Sequence, residues 1–416
     1  MPVSSLQRRL GTGGAIVIGL ASMMGAGVFF VWAPAADAAG SGLLIGLVIA
    51  GLIATLNAFS SAQLAMVHPV SGGTYAYARA TVGPWTGFAA GWLFLAGKTA
   101  SVGAIALIAG GYLWPEQARA VAIAAVVVLA VVNMTGIRST AVVSTVIVTI
   151  VLVGIAAILI SALGQLPEAP PFAALTAGPF GILQSAGLLF FCFAGYARMA
   201  TLGEEVRDPH RTLPRAILAA LAIVLVIYAS IGILSLTVLG PDALAASSAP
   251  LADLVGAATP LGAVVRVVAG IACLGSLAGI LAGLSRTSLA MARERDLPPA
   301  LAFISGRTHA PVVAEATFAV FAIVGILVLD PARLVGFSSC AVLVYYAIAH
   351  LSAIRQPAEE RWLPRILQVV GMAGCLVLAF TLPWQAIVFA AGVLVVGLGV
   401  RMLFTRAGTS DPPRVR

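Results

Sequence analysis

Charge is scarce in this sequence. Only 9% of its 416 residues are Asp, Glu, Lys or Arg, against about 25% in a soluble domain. That shortage excludes a soluble globular chain, and the 61% hydrophobic content, against an ordinary 45–50%, excludes it again. Lysine is nearly absent, Lys98 being the only one. Cysteine is sparse too: Cys192, Cys273, Cys340 and Cys375 all fall inside apolar runs, with no C-x-x-C pair and no histidine at ligand spacing. They read as small packing residues, with neither a disulfide framework nor a metal site. Of four histidines, His68, His210 and His309 lie between apolar runs, and His350 lies near the end of one without an acidic neighbour. Catalysis inside a membrane would need paired aspartates, a Ser–His pair or a histidine cluster, and with the histidines so placed an enzyme is not the expected reading. No carboxylate is expected inside any apolar run, which leaves no acidic proton relay and no acidic sodium ligand.

Long apolar runs are what the sequence has instead. Twelve recur from end to end, at about 13–37, 41–66, 84–113, 117–134, 140–163, 178–201, 213–239, 260–287, 311–329, 332–354, 363–381 and 383–404. Each has the ~20 residues that cross a bilayer core of roughly 30 Å. The short connections leave no room for a second, soluble domain. The reading is an all-α polytopic membrane protein with twelve transmembrane helices in a single domain, 1–416.

The net charge of +8 reflects arginine placement and asks for no nucleic-acid partner. With the N-terminus inside, the cytoplasmic segments hold Arg8, Arg9, Arg79, Arg138, Arg207, Arg211, Arg215, Arg286, Arg293, Arg295, Arg307, Arg355, Arg361, Arg365, Arg401, Arg406, Arg414 and Arg416. The external side is expected to hold only Arg119 and Arg333. This is the positive-inside pattern, and it places both termini in the cytoplasm. Arg8-Arg9 followed by an apolar run and Ala33-Pro34-Ala35 imitates a secretory signal. The run is longer than a signal's apolar region and eleven more follow, so it reads as the first span.

That first run carries Gly25-Ala26-Gly27 at its middle. In lipid, irregular backbone is tolerated only where it is buried or lines a cavity. A helix broken there presents unpaired N–H groups at the positive end of a dipole, a place for a carboxylate. The alternative is close packing, for which Gly-x-Gly is common in membrane helices. In the sixth run Phe191-Cys192-Phe193-Ala194-Gly195-Tyr196 again puts a glycine among aromatics. Interrupted helices at corresponding places in two halves point to a transport site built from repeats. The four-proline stretch from Gly164 to Phe180 reads as the boundary between the halves.

Lys98 lies near the middle of the third run. A cation there costs about 2.5–3.5 kcal/mol on insertion scales, so it faces a cavity or a partner, or snorkels to an interface. Ser276, in the eighth run, lends a hydroxyl to an ion or a neighbouring carbonyl, or packs. Arg198 either pairs with Glu204 or Glu205 or faces the pathway. Tyr345 and Tyr346 read as bundle contacts. The eleventh and twelfth runs contain no internal charge and read as peripheral.

Several segments together resemble the amino acid–polyamine–organocation permease superfamily. They are Gly25-Ala26-Gly27-Val28-Phe29; Pro69 with Gly72-Gly73, Tyr75 and Tyr77; Phe193-Ala194-Gly195-Tyr196 running to Glu204-Glu205; Asp208-Pro209 with Pro214-Arg215; Gly275-Ser276-Leu277-Ala278-Gly279; and Ser285-Arg286 with Ala290-Met291-Ala292-Arg293. The resemblance implies a core of ten helices in two inverted five-helix repeats, 13–163 and 178–355, with two extra helices at 363–404 and a tail at 405–416. It implies a substrate between broken spans 1 and 6. The carboxylate would meet the N–H groups of Gly25, Ala26 and Gly27, and the ammonium the carbonyls around Met23, Phe193 and Ala194, beside Gly195. Phe191 would be an aromatic gate, and Lys98 and Ile280 would face the substrate.

Two departures from the family pattern matter. Ala197 and Arg198 stand where many members have an acidic residue, and Lys98 stands where relatives often have a small neutral one. Both make the site more positive and disfavour cationic substrates. The expected function is secondary active transport of neutral or other non-cationic amino acids across the cell (plasma or inner) membrane. Coupling ranks as proton through Lys98, then obligatory exchange, then sodium near Ser276. Export, a transporter-like sensor and a membrane enzyme are the remaining alternatives. No cofactor, metal or obligatory protein partner is expected.

Overall fold

The computed structural model describes residues 11–68, 72–136, 141–167, 177–196, 206 and 208–407. Pro69, Arg198, Glu204 and Glu205 lie outside these residues. Among the described residues all the regular elements are helices. Nine helical stretches among the described residues are long and apolar enough to cross a membrane, with three shorter apolar helices, Thr12–Met23, Val312–Val328 and Arg365–Thr381, beside them.

The first run is divided into α1 (Thr12–Met23), α2 (Gly27–Phe30) and α3 (Trp32–Ala39). α2 and α3 join through Val31, whose N–H donates to Gly27 O at 3.1 Å and whose carbonyl accepts from Ala35 N at 3.0 Å. The interruption is therefore confined to Met24–Ala26. α4 (Leu43–Val67), α5 (Thr74–Thr81), α6 (Pro84–Leu113), α7 (Ala118–Met134) and α8 (Ala141–Leu163) follow. α9 (Pro179–Phe193) ends in a 3-10 turn over Ala194–Tyr196. Then come α10 (Pro209–Leu239), two short helices, α11 (Pro241–Ala246) and α12 (Pro250–Leu254), and α13 (Pro260–Arg293). The last are α14 (Val312–Val328), α15 (Pro331–Arg355), α16 (Arg365–Thr381) and α17 (Trp384–Ala407).

Local chemistry sets these boundaries. Proline opens α6, α9, α10, α13 and α15, at a position whose N–H has no helical acceptor to lose. The Thr259 hydroxyl caps α13 by accepting from Gly262 N at 3.0 Å, and the Asp330 carboxylate caps α15 by accepting from Arg333 N at 2.9 Å.

α6 lies at the centre, packed against α5, α7, α13, α14 and α15. Small residues let α6 and α15 approach: a Cβ on Gly97 would stand 2.9 Å from Ala341 Cβ, and Ser101 and Ser338 share a hydrogen bond of 2.6 Å. Without a hydrophobic force between helices in lipid, such fits and buried polar pairs carry the association.

Three expectations need correction. α16 is not peripheral. Gly371 lies directly against the His350 imidazole, and the Cys375 thiol donates to Asn57 Oδ1 at 3.1 Å. The same Asn57 oxygen pairs with His350 Nε2 at 2.6 Å, while Ser60 Oγ meets Nδ1 at 3.0 Å. α17 is not free of internal charge: Arg401 lies within it, its side chain 8% exposed. And a carboxylate does lie inside a span, since Glu315, in the first turn of α14, is 2% exposed and accepts from Ser285 Oγ at 2.9 Å. Its burial leaves no mark in the sequence, because an acidic residue one turn inside an apolar run looks like an ordinary helix start.

The arginines gather at the end of the bundle where α5 begins and α13 and α17 finish. Asp296 is the hub there. It accepts from Tyr75 Oη at 2.8 Å and pairs with Arg79 at 3.0 Å and Arg401 at 2.9 Å. Burial, reinforced by the neighbouring Asp296 carboxylate, pushes the Tyr75 phenol well above the ordinary tyrosine range, so it remains a donor. Arg401 also stacks on Trp85 and Phe88, each 4.8 Å from the guanidinium, and donates to Pro84 O at 2.6 Å. At the arginine-poor end a third arginine joins Arg119 and Arg333: Arg266, whose guanidinium donates to Tyr112 O at 3.3 Å.

Candidate functional site

The gap between α1 and α2 follows from hydrogen bonding. Met24 N still donates to Leu20 O at 2.8 Å, which closes α1, and the next such bond runs from Phe29 N to Ala26 O at 3.1 Å. Among the described residues the N–H groups of Gly25, Ala26, Gly27 and Val28 have no backbone acceptor. They lie at the N-terminal, positive end of the rod from Gly27 to Ala39. Met23, Met24 and Ala26 are all at most 2% exposed, so this polar backbone sits inside protein, where an anionic group would be strongly held.

Three elements close around the gap, and each approach uses a residue without a bulky side chain. The turn after α9 presses onto the end of α1: a Cβ on Gly195 would overlap the Ser22 carbonyl and come within 2.9 Å of Met23 N. On the other side of the break, a Cβ on Gly27 would lie 3.0 Å from Cys192 Cα and 3.3 Å from the Phe191 ring. A Cβ on Gly25 would overlap the Ser276 hydroxyl of α13. The structure thus brings Met23, Gly25, Ala26, Gly27, Phe191, Ala194, Gly195 and Ser276 to one place. Ile280, one turn beyond Ser276 on the same face of α13, is half-buried. Phe193 points its ring elsewhere, packing on Tyr228 with ring centroids 5.2 Å apart and against Gly51. Only its backbone belongs to the break.

Lys98 is half-buried and makes no hydrogen bond or ion pair with the described residues. Two contacts set the register of α6 on α13: Gly91 against Met291 and Leu113 against Gly270. By interpolation Lys98 comes level with Leu284, whereas Ser276 is level with Ala106. Lys98 therefore sits about 12 Å from the break toward the arginine-rich end, at 1.5 Å per residue.

Sequence reasoning misses two groups at the break. Tyr228, fully buried on α10, donates its hydroxyl hydrogen to Met23 O at 2.7 Å, with Cys192 O at 3.3 Å. Tyr112, on α6, donates to Phe29 O at 2.6 Å and accepts from Leu251 N at 3.3 Å, holding the far side of α2. Neither stands in a run that looks unusual: a tyrosine among apolar residues gives no sign that its hydroxyl meets a distant carbonyl.

These features define a class: a polytopic helical membrane protein in whose interior an interrupted helix, α1–α2, meets the end of another, α9. An amino acid permease family model matches residues 10–405, and the chain belongs to that family. It is 49% identical over 410 residues to an uncharacterized transporter of Mycobacterium tuberculosis (strain ATCC 25618 / H37Rv), covering 96% of this chain and 93% of the relative. It is 25% identical over 449 residues to the branched-chain amino acid permease of Bacillus subtilis, covering 97% and 94%. It is 28% identical over 408 residues to a chloroplastic cationic amino acid transporter of Arabidopsis thaliana, covering 89% and 69%.

Proposed function

We propose that this permease is a secondary active transporter that moves neutral amino acids by alternating access, with a proton as the coupling ion. The observation that carries the reading is the meeting of the α1–α2 break with the end of α9, where four N–H groups at the start of one half-helix have no backbone acceptor among the described residues. A zwitterion suits both poles of such a place: its carboxylate the N–H groups of Gly25, Ala26 and Gly27, and its ammonium the carbonyls of Met23, Phe193 and Ala194. Phe191 and Ile280 supply apolar walls, consistent with a side chain like leucine's, and Phe191 is placed to close over it.

In this reading the twelve apolar helices form two inverted five-helix repeats, 13–163 and 178–355, followed by two additional helices. The arginine-rich end faces the cytoplasm, with both termini, and the membrane is the cell membrane. Lys98 is the proton carrier, supported by its place between the break and the arginine-rich end and by its lack of a partner among the described residues. Glu315, which accepts from Ser285, lies deeper toward the arginine-rich end and is the titratable group to examine next where Lys98→Met leaves coupling intact.

The test is uptake of radiolabelled leucine into proteoliposomes under an inward proton gradient without sodium. Accumulation abolished by a protonophore supports proton coupling. Counterflow into leucine-preloaded liposomes without net accumulation identifies an exchanger instead.

A further inference from the structure

The C-terminal ends of α1 and α9 face a common difficulty. Each helix end leaves its last carbonyls without helical donors and carries the negative pole of the helix dipole. Here the two ends are pushed together, Gly195 against Ser22 and Met23, in a part of the protein where water does not reach these carbonyls freely. A buried carbonyl without a donor costs about 1–3 kcal/mol, and two facing negative poles repel. One hydroxyl answers both problems. Tyr228 reaches from α10 with its oxygen 2.7 Å from Met23 O and 3.3 Å from Cys192 O. Its single hydrogen bonds mainly to Met23 O and presents its positive end to Cys192 O as well.

Its ring is held as firmly as its hydroxyl is aimed. Tyr228 is 0% exposed. It meets Trp32 edge-on at 6.1 Å, beyond the first break, and Phe193 edge-on at 5.2 Å, at the end of α9. The residue therefore touches both sides of the interruption after α1 and the end of α9 while standing on neither α1 nor α9. Met23 O is also one of the carbonyls assigned above to the substrate's ammonium. With one lone pair taken by Tyr228, that carbonyl is turned and fixed, and the second lone pair is left for the ligand.

We propose that Tyr228 is a positioning residue for substrate binding. Its hydroxyl ties the end of α1 to the end of α9 and orients the Met23 carbonyl toward the ligand. This rests on the reading of the breaks as the amino acid site.

The experiment is Tyr228→Phe in the full-length protein, which keeps the ring contacts and removes only the donor. Two readouts are taken, with Tyr112→Phe as comparison, because that variant also loses a buried tyrosine–carbonyl bond but leaves the α1–α9 junction alone. In leucine counterflow, Tyr228→Phe is expected to raise KM tenfold or more while the maximal rate stays within about twofold. Replacement by 4-aminophenylalanine, which returns a donor to the same place, is expected to restore KM. In hydrogen–deuterium exchange, peptides covering residues 20–27 and 190–196 are expected to exchange faster in Tyr228→Phe and not in Tyr112→Phe. An unchanged KM with unchanged exchange in both segments overturns the proposal. So does a fall in maximal rate and melting temperature at constant KM, the mark of packing alone. If wild-type protein gives no leucine counterflow, the transport reading fails, and exchange by itself decides the tie. Should the phenylalanine variant not assemble, 4-fluorophenylalanine, which fills the volume without a hydrogen to donate, is read in the same way.

Discussion

Gly195 and Ser22 lie backbone against backbone. No Cβ fits on Gly195 without overlapping the Ser22 carbonyl, so the approach of the ends of α1 and α9 depends on the absence of one carbon atom. The junction joins main chains, and a methyl group added on Gly195 separates the N–H groups of the α1–α2 break from the carbonyls at the end of α9.

Gly195→Ala should therefore cut leucine uptake at least tenfold and lower the melting temperature by several degrees, since backbone on both sides cannot yield as a flexible side chain would. Gly392→Ala is the matched control. Its added methyl group meets nothing within 4 Å, and in an exposed helix interior alanine is favoured over glycine by about 1 kcal/mol. Uptake and thermal melting of the two variants, measured side by side, check this.

Lys98→Met should abolish accumulation driven by a pH gradient while leaving the protein folded, because methionine keeps the length and apolar stem and removes only the titrating group. Accumulation ratios at imposed gradients, together with size-exclusion profiles, decide it. Surviving accumulation would make Lys98 a shaping residue of the pathway.

Arginine and putrescine should be poor competitors of leucine uptake, at least tenfold weaker than valine or isoleucine. The only lysine of the chain stands about two turns from the break, and a second cation brought near it in a low-dielectric interior meets repulsion that water does not screen. Strong inhibition by either compound would reverse this selectivity. The Arabidopsis relative named for cationic amino acids makes that comparison informative.

Asp296→Asn should destabilise the arginine-rich end. Arg79 and Arg401 both pair with Asp296, whose side chain is 5% exposed. Removing one partner of a buried pair typically costs about 3–5 kcal/mol, because a charge is left without compensation. Thermal melting is expected to fall clearly, and Arg401→Lys should reproduce part of the loss, since an ammonium cannot stack on Trp85 and Phe88 while also bonding Pro84 and Asp296. Glu294→Gln is the contrast. Its bond to Arg79 involves side chains that are 30% and 54% exposed, and such a pair is worth at most about 1 kcal/mol.

Helix positions are legible in the sequence because in a membrane each span must satisfy its own backbone, so an apolar run and its flanking Pro or Gly define an element locally. The run at 84–113 coincides with α6, and the Gly25-Ala26-Gly27 break is legible for the same local reason. Ser276 is visible only as a lone serine with two readings, and the fold decides its place by setting α13 against Gly25. Arg401 and Glu315 escape such reading because each lies close to the end of an apolar run. Composition at a run's end does not say whether a charge meets water or, as with Arg401 and Asp296, a partner about a hundred residues away.

By itself, then, the sequence determined that the chain is a bundle of membrane helices, which of them is interrupted by Gly25-Ala26-Gly27, and which end collects the arginines. These properties depend on neighbours within about a turn along the chain and on transfer between water and lipid. Tertiary structure decided what the interruption meets. Gly195 against Ser22, Ser276 against Gly25, and Tyr228 bonded to Met23 all join residues far apart in sequence, and a hydrogen bond or a backbone contact leaves no periodic trace in either partner. Lys98 stands out by its charge in an apolar run, whereas Tyr228, which touches the α1–α2 break and the end of α9, is one tyrosine among many apolar neighbours until the helices pack.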